Sequence, residues 1–519
     1  MCFSGSQALP LDNQQAKRFY EPLLLLCCLY IIFSGAENGV RPPDLDSPVD
    51  KNSQGTFSCF VNKLSQVCDS QRGGNTVTAF AVLQTGSIEY RFTSNQRTLA
   101  EFESTTRYVK NLLGILGGAQ DNVIHEARQT PEDCQIFSTL IREVLQFNRP
   151  RITEYHIEHQ FAKNLDFCIS ACSGSEFGTI LVVLKSLTDA TLDSTLPDIQ
   201  FAVHGQRLLR AVSLTYNNPL HKDYLRDRTR EDREGANQTP WTELYHGLGR
   251  LHSYTIAVTT FITARHRWPE LFDQGFQVTY VPSSTPSDLP SIRRTSSGII
   301  ARLTNDPAVL EFFPRGSNNS AAKPAHLQDL TAELDRRIQR KYRLSQAIVH
   351  AEVHLADHIL RESRTNPELR FFNEATIGRY IGASKPTCRL CHFYFSAPFA
   401  SAAGRIQVRP TSHNYYHNWR VPDVYPEDGS AALQARKQVV EWMITNLKPE
   451  AARTVVERFA VKKGHDSNTY PSVPDTESLL SVQVGSVGSQ SGGGESVRRL
   501  GAMEDIIAKL GGMRLGIEE

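Results

Sequence analysis

The chain has 519 residues, of which 40% are hydrophobic and 21% are charged. This ordinary globular composition allows two or three domains, or one domain with a large insertion. The net charge is +1, so no global field draws the protein to nucleic acid or to an anionic membrane, and any polyanion binding must be local. Ten scattered cysteines do not form a disulfide framework, which favours a reducing, intracellular compartment, the cytoplasm or the nucleus.

The first 50 residues combine an apolar stretch with a proline-rich loop. The stretch from Leu23 to Phe33 follows Lys17 and Arg18, a pattern that also describes a signal sequence. It is shorter than the roughly 20 residues that a membrane-spanning helix needs. We therefore predict a buried helix followed by a loop over 1–50 and no membrane span, and we leave secretion open.

Residues 51–96 predict a helix and a β-hairpin. Apolar and polar residues alternate over 76–84 and again over 88–93, and the turn Thr85-Gly86-Ser87 lies between them. Residues 97–325 are mainly helical in pattern. The exceptions are strand-like segments at Thr179 to Leu184 and Phe276 to Val281, and polar, turn-rich segments at 283–291 and 316–324 that we predict to be mobile surface loops.

Helical patterns elsewhere follow the spacing of apolar residues. They cover Phe57 to Cys68, Thr98 to Leu116, Cys134 to Phe147, Trp241 to Arg265, Leu327 to Arg340, and Ala431 to Phe459 with a break at Pro449. Further short strands are predicted at Tyr380 to Gly382 and at Ile406 to Pro410.

The segment 345–360 has a helical recurrence of apolar residues and contains His350-Ala351-Glu352. Side chains two positions apart on a helix differ by about 200° in direction. His350 and Glu352 can therefore face one metal ion only near the helix start. The backbone N–H groups at that end also favour an anion.

Cys388 and Cys391 form a Cys-x-x-Cys motif at a predicted strand-to-helix turn, which places both sulfurs on one side. With His350 they make three soft or borderline metal ligands. A catalytic zinc keeps three protein ligands and leaves the fourth position to water. Glu352 would then act as the base and acid that such a water requires.

Other interpretations of these residues stay open. His350 and His354 lie one turn apart on the predicted helix, so they could form a closed structural zinc site with Cys388 and Cys391 in a non-catalytic binding protein. The cysteine motif followed by His392 also matches the haem attachment pattern, although no convincing secretory segment accompanies it. The same motifs also occur in proteins that bind no metal.

His-x-Glu on one helix and Cys-x-x-Cys at the start of the next resemble the zinc-dependent cytidine deaminase-like superfamily. More narrowly, Tyr380 to Cys391 and Ser412 to Pro422 resemble a largely fungal branch of predicted nucleic-acid or nucleotide deaminases related to bacterial toxin deaminases. The resemblance covers roughly 345–425. It departs from the common motif at Thr387, an extra residue between the proline and the first cysteine.

The resemblance implies an α/β fold: a deaminase-like three-layer α/β/α sheet with a large, mainly helical N-terminal region or insertion. Such folds place a hairpin before the His-x-Glu helix, yet the residues just upstream, 327–349, are helical in pattern. We therefore hypothesise that the hairpin at 76–93 supplies the first strands and that 97–325 is inserted into a single sheet. The zinc deaminase core and its C-terminal helix would then occupy 326–462.

The resemblance also implies an activity. The chain would be a zinc-dependent hydrolase of the C–N bond of cyclic amidines, acting on a cytosine- or adenine-type base in a nucleotide or single-stranded nucleic acid. His350, Cys388 and Cys391 would bind Zn²⁺, and Glu352 would transfer the proton to the ring nitrogen and then to the departing ammonia. The residues expected to contact the substrate are Asn95, His413 and Trp419.

The chain after Lys463 is poor in apolar residues, and 485–496 consists almost wholly of Gly, Ser, Val and Gln. This composition predicts a disordered tail over 463–519. Within the tail, Ser496 to Leu510 has apolar residues at helical spacing. A short helix there either docks on a protein partner or has no separate role.

Overall fold

The computed structural model describes residues 8–33, 52–129, 133–158, 161–234, 240–312, 325–344, 346–398 and 406–457. These residues divide into two compact units, each described here by itself. Unit 1 draws its described residues from Met1–Pro43, Val77–Phe102 and Thr279–Asp466. Unit 2 draws its own from Asp44–Thr76 and Glu103–Val278. The chain therefore leaves unit 1 after the hairpin region and returns to it.

The described residues form helices and strands in the following order. The helices are α1 (Asn13–Phe33), α2 (Ser53–Cys68), α3 (Leu99–Gly117), α4 (Asp121–Gln129), α5 (Gln135–Phe147), α6 (Arg149–Glu158), α7 (Phe161–Ala171), α8 (Glu176–Thr191), α9 (Asp198–Asn217), α10 (Pro219–Glu234), α11 (Pro240–Arg267), α12 (Ser296–Thr304), α13 (Ala325–Leu344), α14 (Ala351–Glu362), α15 (Glu374–Ile377), α16 (Arg389–Ser396) and α17 (Gly429–Glu457). The strands are β1 (Thr78–Gln84), β2 (Ile88–Ser94), β3 (Gln277–Tyr280), β4 (Ser287–Asp288), β5 (Gln346–Ala347), β6 (Arg370–Phe371), β7 (Tyr380–Ala383) and β8 (Gln407–Val408).

The main sheet of unit 1 has the strand order β3-β2-β1-β7-β8, and β6 also pairs with β1. Strand β1 lies between its hairpin partner and β7: Phe80 faces Phe92 of β2 on one side and Gly382 of β7 on the other, both antiparallel. Strand β8 pairs with β7 in parallel. The hairpin and the strand that leads to the cysteine motif therefore share one sheet, as the single-sheet hypothesis requires.

Helix α14 packs on one face of this sheet. Ala79, Ala81 and Leu83 alternate along β1 and share a buried cluster with Leu355 and Ile359 of α14. The helical residues are one turn apart, so they form one apolar stripe facing the strand. Sheet and helices together confirm the predicted α/β class with a large helical region.

The apolar N-terminal stretch forms α1, which lies in a second core of unit 1. Its four consecutive leucines, Leu23 to Leu26, are completely buried. Helix α1 packs against α12, α13 and α17, and its leucines share an apolar cluster with residues of α17 such as Met443 and Leu447. The predicted buried helix is thus a core element of unit 1. Within the described ranges, no helix has the length and apolarity needed to span a bilayer.

Unit 2 is mainly helical in its described residues, which also include Gln277 and Val278 of β3. It comprises α2, most of α3, and α4 to α11. The longest of these, α11, packs against α2, α4, α5, α7, α9 and α10, and most of its length is buried. The largest segment of unit 2, Glu103–Val278, begins after the hairpin region and ends within β3. The limits predicted for the helical insertion, 97–325, stay a prediction.

Three local predictions are wrong. Thr179 to Leu184 lies inside α8 and is not a strand, because a short apolar run fits a buried helix as well as a strand. Helix α17 continues through Pro449, where the buried Leu447 and Ala451 on either side keep the turn in the core. The segment 283–291 is not wholly a loop, since Ser287–Asp288 form β4, which pairs with β5.

The helix predicted for 345–360 begins later than its pattern indicates. Residues 346–347 form β5, and α14 starts at Ala351. Backbone groups just before the helix bond to other segments, for example Ile348 N–H to the Asn418 carbonyl at 2.8 Å, so tertiary pairing overrides the helical pattern. The predicted loop at 316–324, the tail at 463–519 and its helix at 496–510 lie outside the described residues.

Candidate functional site

His350 is placed by three segments that are distant in sequence. It is the N-cap residue of α14, with extended backbone, and its side chain makes no cap hydrogen bond. Just before it, Ile348 pairs with Trp419 in parallel, and the Val349 N–H donates to Ser284 Oγ at 3.0 Å. These contacts hold the start of α14 while leaving the imidazole free to turn away from the helix end.

The two cysteines lie at the start of α16, after the turn that follows β7. Cys388 is the N-cap residue, and its Sγ accepts a hydrogen bond from the Cys391 N–H at 3.4 Å. Thr387, the residue that departs from the family motif, donates its N–H to the Pro410 carbonyl at 3.1 Å and has no partner for its buried hydroxyl among the described residues. The strand-to-helix turn predicted for this motif is confirmed.

The three predicted ligands meet in one buried cluster. His350 Nδ1 lies 3.5 Å from the Sγ atoms of both Cys388 and Cys391, and all three ligand atoms lie within 4.8 Å of one another. A tetrahedral zinc with Zn–N near 2.05 Å and Zn–S near 2.3 Å would separate N from S by about 3.6 Å. The exposed fractions are 8% for the histidine and 3% and 0% for the cysteines. The cluster therefore fits a zinc ion in both donor type and spacing.

The charges within the cluster stabilise one another. Burial by itself raises the pKa of Cys388, but the hydrogen bond from Cys391 and the charge of His350 lower it to about 6. Burial opposes protonation of His350, but the Cys388 thiolate and the Glu352 carboxylate outweigh it and raise the pKa of the imidazole. Burial and the neighbouring Cys388 raise the pKa of Cys391. A divalent cation would supply the positive charge that both thiolates need.

Glu352 lies in the first turn of α14 and is 4% exposed. Its charge acts on all three ligands, since it raises the pKa of His350, Cys388 and Cys391 in addition to the larger effects of burial and of the ligands themselves. Among the described residues, no hydrogen-bond donor or cation within salt-bridge distance pairs with this carboxylate. A buried carboxylate without such a partner is costly and typical of a functional group.

The closed four-ligand alternative does not match the described residues. The His354 Nε2–H donates a hydrogen bond to the Pro282 carbonyl oxygen at 2.9 Å. The group of side chains that could hold a metal in the described ranges contains His350, Cys388 and Cys391 without His354. The fourth tetrahedral corner thus has no protein ligand in this part of the chain.

Asn95, predicted from the hairpin end, reaches the site. Its Oδ1 accepts a hydrogen bond from the Ala351 N–H at 2.9 Å, across 256 residues of sequence. This contact fixes the first turn of α14 next to His350. Whether Asn95 also contacts a substrate stays a prediction.

His413 and Trp419 lie differently from each other. His413 is half-buried in the left-handed region of backbone space, with φ of 59°, and burial together with the nearby Arg389 lowers its pKa. Trp419 is completely buried, and its indole N–H donates to Cys391 Sγ at 3.1 Å. The Trp419 ring is therefore enclosed by protein, and its predicted contact with a substrate stays a prediction.

Two residues near the site were not predicted by motif. Ser284 holds the strand before His350, but its polar, turn-rich surroundings indicate a loop. Tyr416 is half-buried and packs edge-on against His350, with ring centroids 5.5 Å apart. It is one of several aromatic residues in the segment 412–422, and no motif singles it out.

Residues 349–423 match the family model described as OTT_1508_deam:-like deaminase. The matched span contains the three clustered ligands and Glu352, and it excludes the hairpin and unit 2. No curated protein and no solved structure matches the chain. The match and the buried cluster of His350, Cys388 and Cys391 together support a deaminase-like family for this segment of the chain.

Proposed function

We propose that the chain is a zinc-dependent hydrolytic deaminase of a cytosine- or adenine-type base in a nucleotide or single-stranded nucleic acid. The observation that carries this proposal is the spacing of one imidazole nitrogen 3.5 Å from two thiol sulfurs, beside a buried carboxylate. His350, Cys388 and Cys391 would hold the ion. Zinc held there would supply a Lewis acid that activates water for attack on the amino-bearing ring carbon.

Glu352 would move the protons. Its carboxylate would accept one proton from the attacking water and pass it to the ring nitrogen. It would then take the second proton from the hydroxyl formed on the ring carbon and deliver it to the departing amino group, so that water and the aminated base give the carbonyl base and ammonia. Its place in the first turn of α14 keeps it near the ligands, and the lack of an ion-pair partner in the described ranges leaves its oxygens available as proton acceptors.

Two further residues support a substrate that carries both a base and a phosphate group. Tyr416 presents a half-buried ring beside His350, and aromatic rings of this kind stack on nucleobases. Lys385 is half-buried in the turn before the cysteine motif, and its charge adds to burial in opposing protonation of His350. A cation so near the cluster would attract a phosphate group.

The decisive variant is Glu352→Gln, which keeps the size of the side chain and removes the proton acceptor. We expect turnover to fall by about 10²- to 10⁴-fold while zinc content is unchanged. Glu427→Gln is the matched control, because Glu427 is an exposed carboxylate of unit 1 outside the cluster. The measurement is ammonia release from nucleosides, nucleotides and oligonucleotides by the purified chain, with zinc determined by mass spectrometry.

The outcomes separate the two kinds of protein. A zinc-stabilised binding protein without catalysis would bind zinc, release no ammonia from any substrate class and be indifferent to the Glu352→Gln change. Activity on oligonucleotides but not on nucleosides would assign the substrate to nucleic acid. A chain that binds no zinc, or an active Glu352→Gln variant, would refute the proposed mechanism.

A further inference from the structure

Trp419 makes a polar contact to the ligand cluster from outside the ligand set. Its indole N–H donates to Cys391 Sγ at 3.1 Å, and the indole is completely buried. An indole nitrogen is a donor only, so the sulfur must be the acceptor. The contact therefore favours electron density on the sulfur, which a metal-binding thiolate has.

Helix α1 contacts both the backbone and the ring of Trp419. The Tyr20 hydroxyl donates to the Trp419 carbonyl at 3.3 Å, and the Phe19 ring lies 5.8 Å from the Trp419 ring, centroid to centroid. The Trp419 backbone also pairs with Ile348, two residues before His350. One residue thus joins the strand that carries the histidine to the sulfur of the second cysteine.

The two cysteines receive different support. Cys388 Sγ accepts a backbone N–H from the first turn of its own helix. Cys391 lies within that helix, and the Trp419 indole donates to its sulfur from another segment. Without the indole, the buried Cys391 would lose a donor that fixes both its rotamer and its charge.

We propose that Trp419 is a positioning residue that holds Cys391 as a metal ligand and sets the affinity of the site for zinc. This inference rests on the proposed function only for the identity of the metal site, not for catalysis. Hydrogen bonds to the metal-ligating side chains orient them and adjust how strongly they donate to the metal. Their loss typically weakens metal affinity by about 10- to 100-fold.

The test compares Trp419→Phe, which keeps an aromatic ring and removes the N–H, with Trp442→Phe as control. Trp442 is partly buried in α17 of the same unit, and its indole nitrogen has no hydrogen-bond partner among the described residues. The full-length chain is titrated with Zn²⁺ against a chromophoric chelator, and with Co²⁺ to record the sulfur-to-cobalt charge-transfer band.

We expect Trp419→Phe to bind Zn²⁺ about 10- to 100-fold more weakly than the wild type, with Trp442→Phe unchanged. The cobalt band should move to longer wavelength, because a thiolate without an N–H donor gives up electron density more easily. Wild-type affinity and an unshifted band in Trp419→Phe would overturn the inference.

A second variant keeps the test decisive if Trp419→Phe does not fold. Benzothienylalanine at position 419 has nearly the shape of tryptophan, with sulfur in place of the N–H. It should show the same loss of affinity and the same band shift, and wild-type values would overturn the inference. Failure of the proposed activity is distinguishable from failure of this inference. If no substrate is turned over, the metal titrations still decide the role of Trp419, whereas a wild-type chain that binds no zinc overturns both proposals.

Discussion

Replacing Asn95 by alanine takes away the acceptor for the first N–H of α14. The N-cap position of this helix is His350, whose side chain faces the two cysteines and makes no cap hydrogen bond. The hairpin supplies the missing acceptor through Asn95 Oδ1, 2.9 Å from the Ala351 nitrogen. The residue that would normally cap the helix is thus released to act as a ligand.

The size of the effect follows from this geometry. Loss of an N-cap acceptor costs about 0.5–2 kcal/mol, and a buried N–H left unpaired costs about 1–3 kcal/mol. Asn95 is buried and bonds to one N–H of the first turn, so we expect Asn95→Ala to lower the free energy of unfolding of unit 1 by about 1–2 kcal/mol. Because the freed N–H is next to His350, zinc affinity should fall as well.

Asn95→Asp is the matched control, since its carboxylate can still accept from the Ala351 N–H and favours a helix N-terminus. We expect it to recover most of the stability that Asn95→Ala loses. Urea unfolding followed by circular dichroism measures stability, and chelator competition measures zinc affinity. An Asn95→Ala variant with wild-type stability and wild-type zinc affinity would refute the role assigned to the hairpin.

Two further predictions concern the cores of the two units. Leu24→Ala in α1 should lower the free energy of unfolding by about 2–5 kcal/mol, because the leucine is completely buried. The control Leu310→Ala, at an exposed site, should change it by less than about 0.5 kcal/mol. Urea titrations measure both, and equal effects would contradict the core assignment of α1. Burial, together with the charges of nearby lysines, lowers the pKa of His252 in unit 2 from 6.5 to about 3. As the pH falls from 6.5 towards 3, the imidazole is therefore protonated in the unfolded chain but not in the folded one, and the free energy of unfolding decreases. Between about pH 7.5 and pH 5.5 this loss is about 1.4 kcal/mol, and a wild-type chain whose urea stability falls no more than that of His252→Gln would contradict it.

The ligand set could be predicted from the sequence because its chemistry lies in short local patterns. His350 and Glu352 can face one ion only at a helix start, and the structure starts α14 at Ala351, between them. Cys388 and Cys391 needed only a turn before a helix, which the Ser-Lys-Pro-Thr sequence after β7 provides. A prediction that rests on such spacing stays valid even when the predicted limits of the helix are wrong by several residues.

The supporting contacts could not be predicted because they join segments far apart in sequence. Ser284 lies 65 residues before Val349, which it bonds, and its polar neighbours look like a surface loop. Trp419 is an aromatic residue of the kind that stacks on a base. Only the structure shows that it is buried and that its N–H donates to a sulfur. A periodic pattern describes one element at a time and does not contain the identity of its partner.

The imidazole and the first thiol of the cluster both lie at helix N-termini, where the backbone is electropositive. His350 and Cys388 are the N-cap residues of α14 and α16, whose first N–H groups carry partial positive charge. Two such ends converging on one point favour a thiolate over a thiol and favour negative charge that develops on a bound substrate. Glu352, placed in the first turn of α14, stays near this positive region while it gives and takes protons. The same arrangement that brings His350, Cys388 and Cys391 together would therefore also provide the field that stabilises the proposed hydrolytic step.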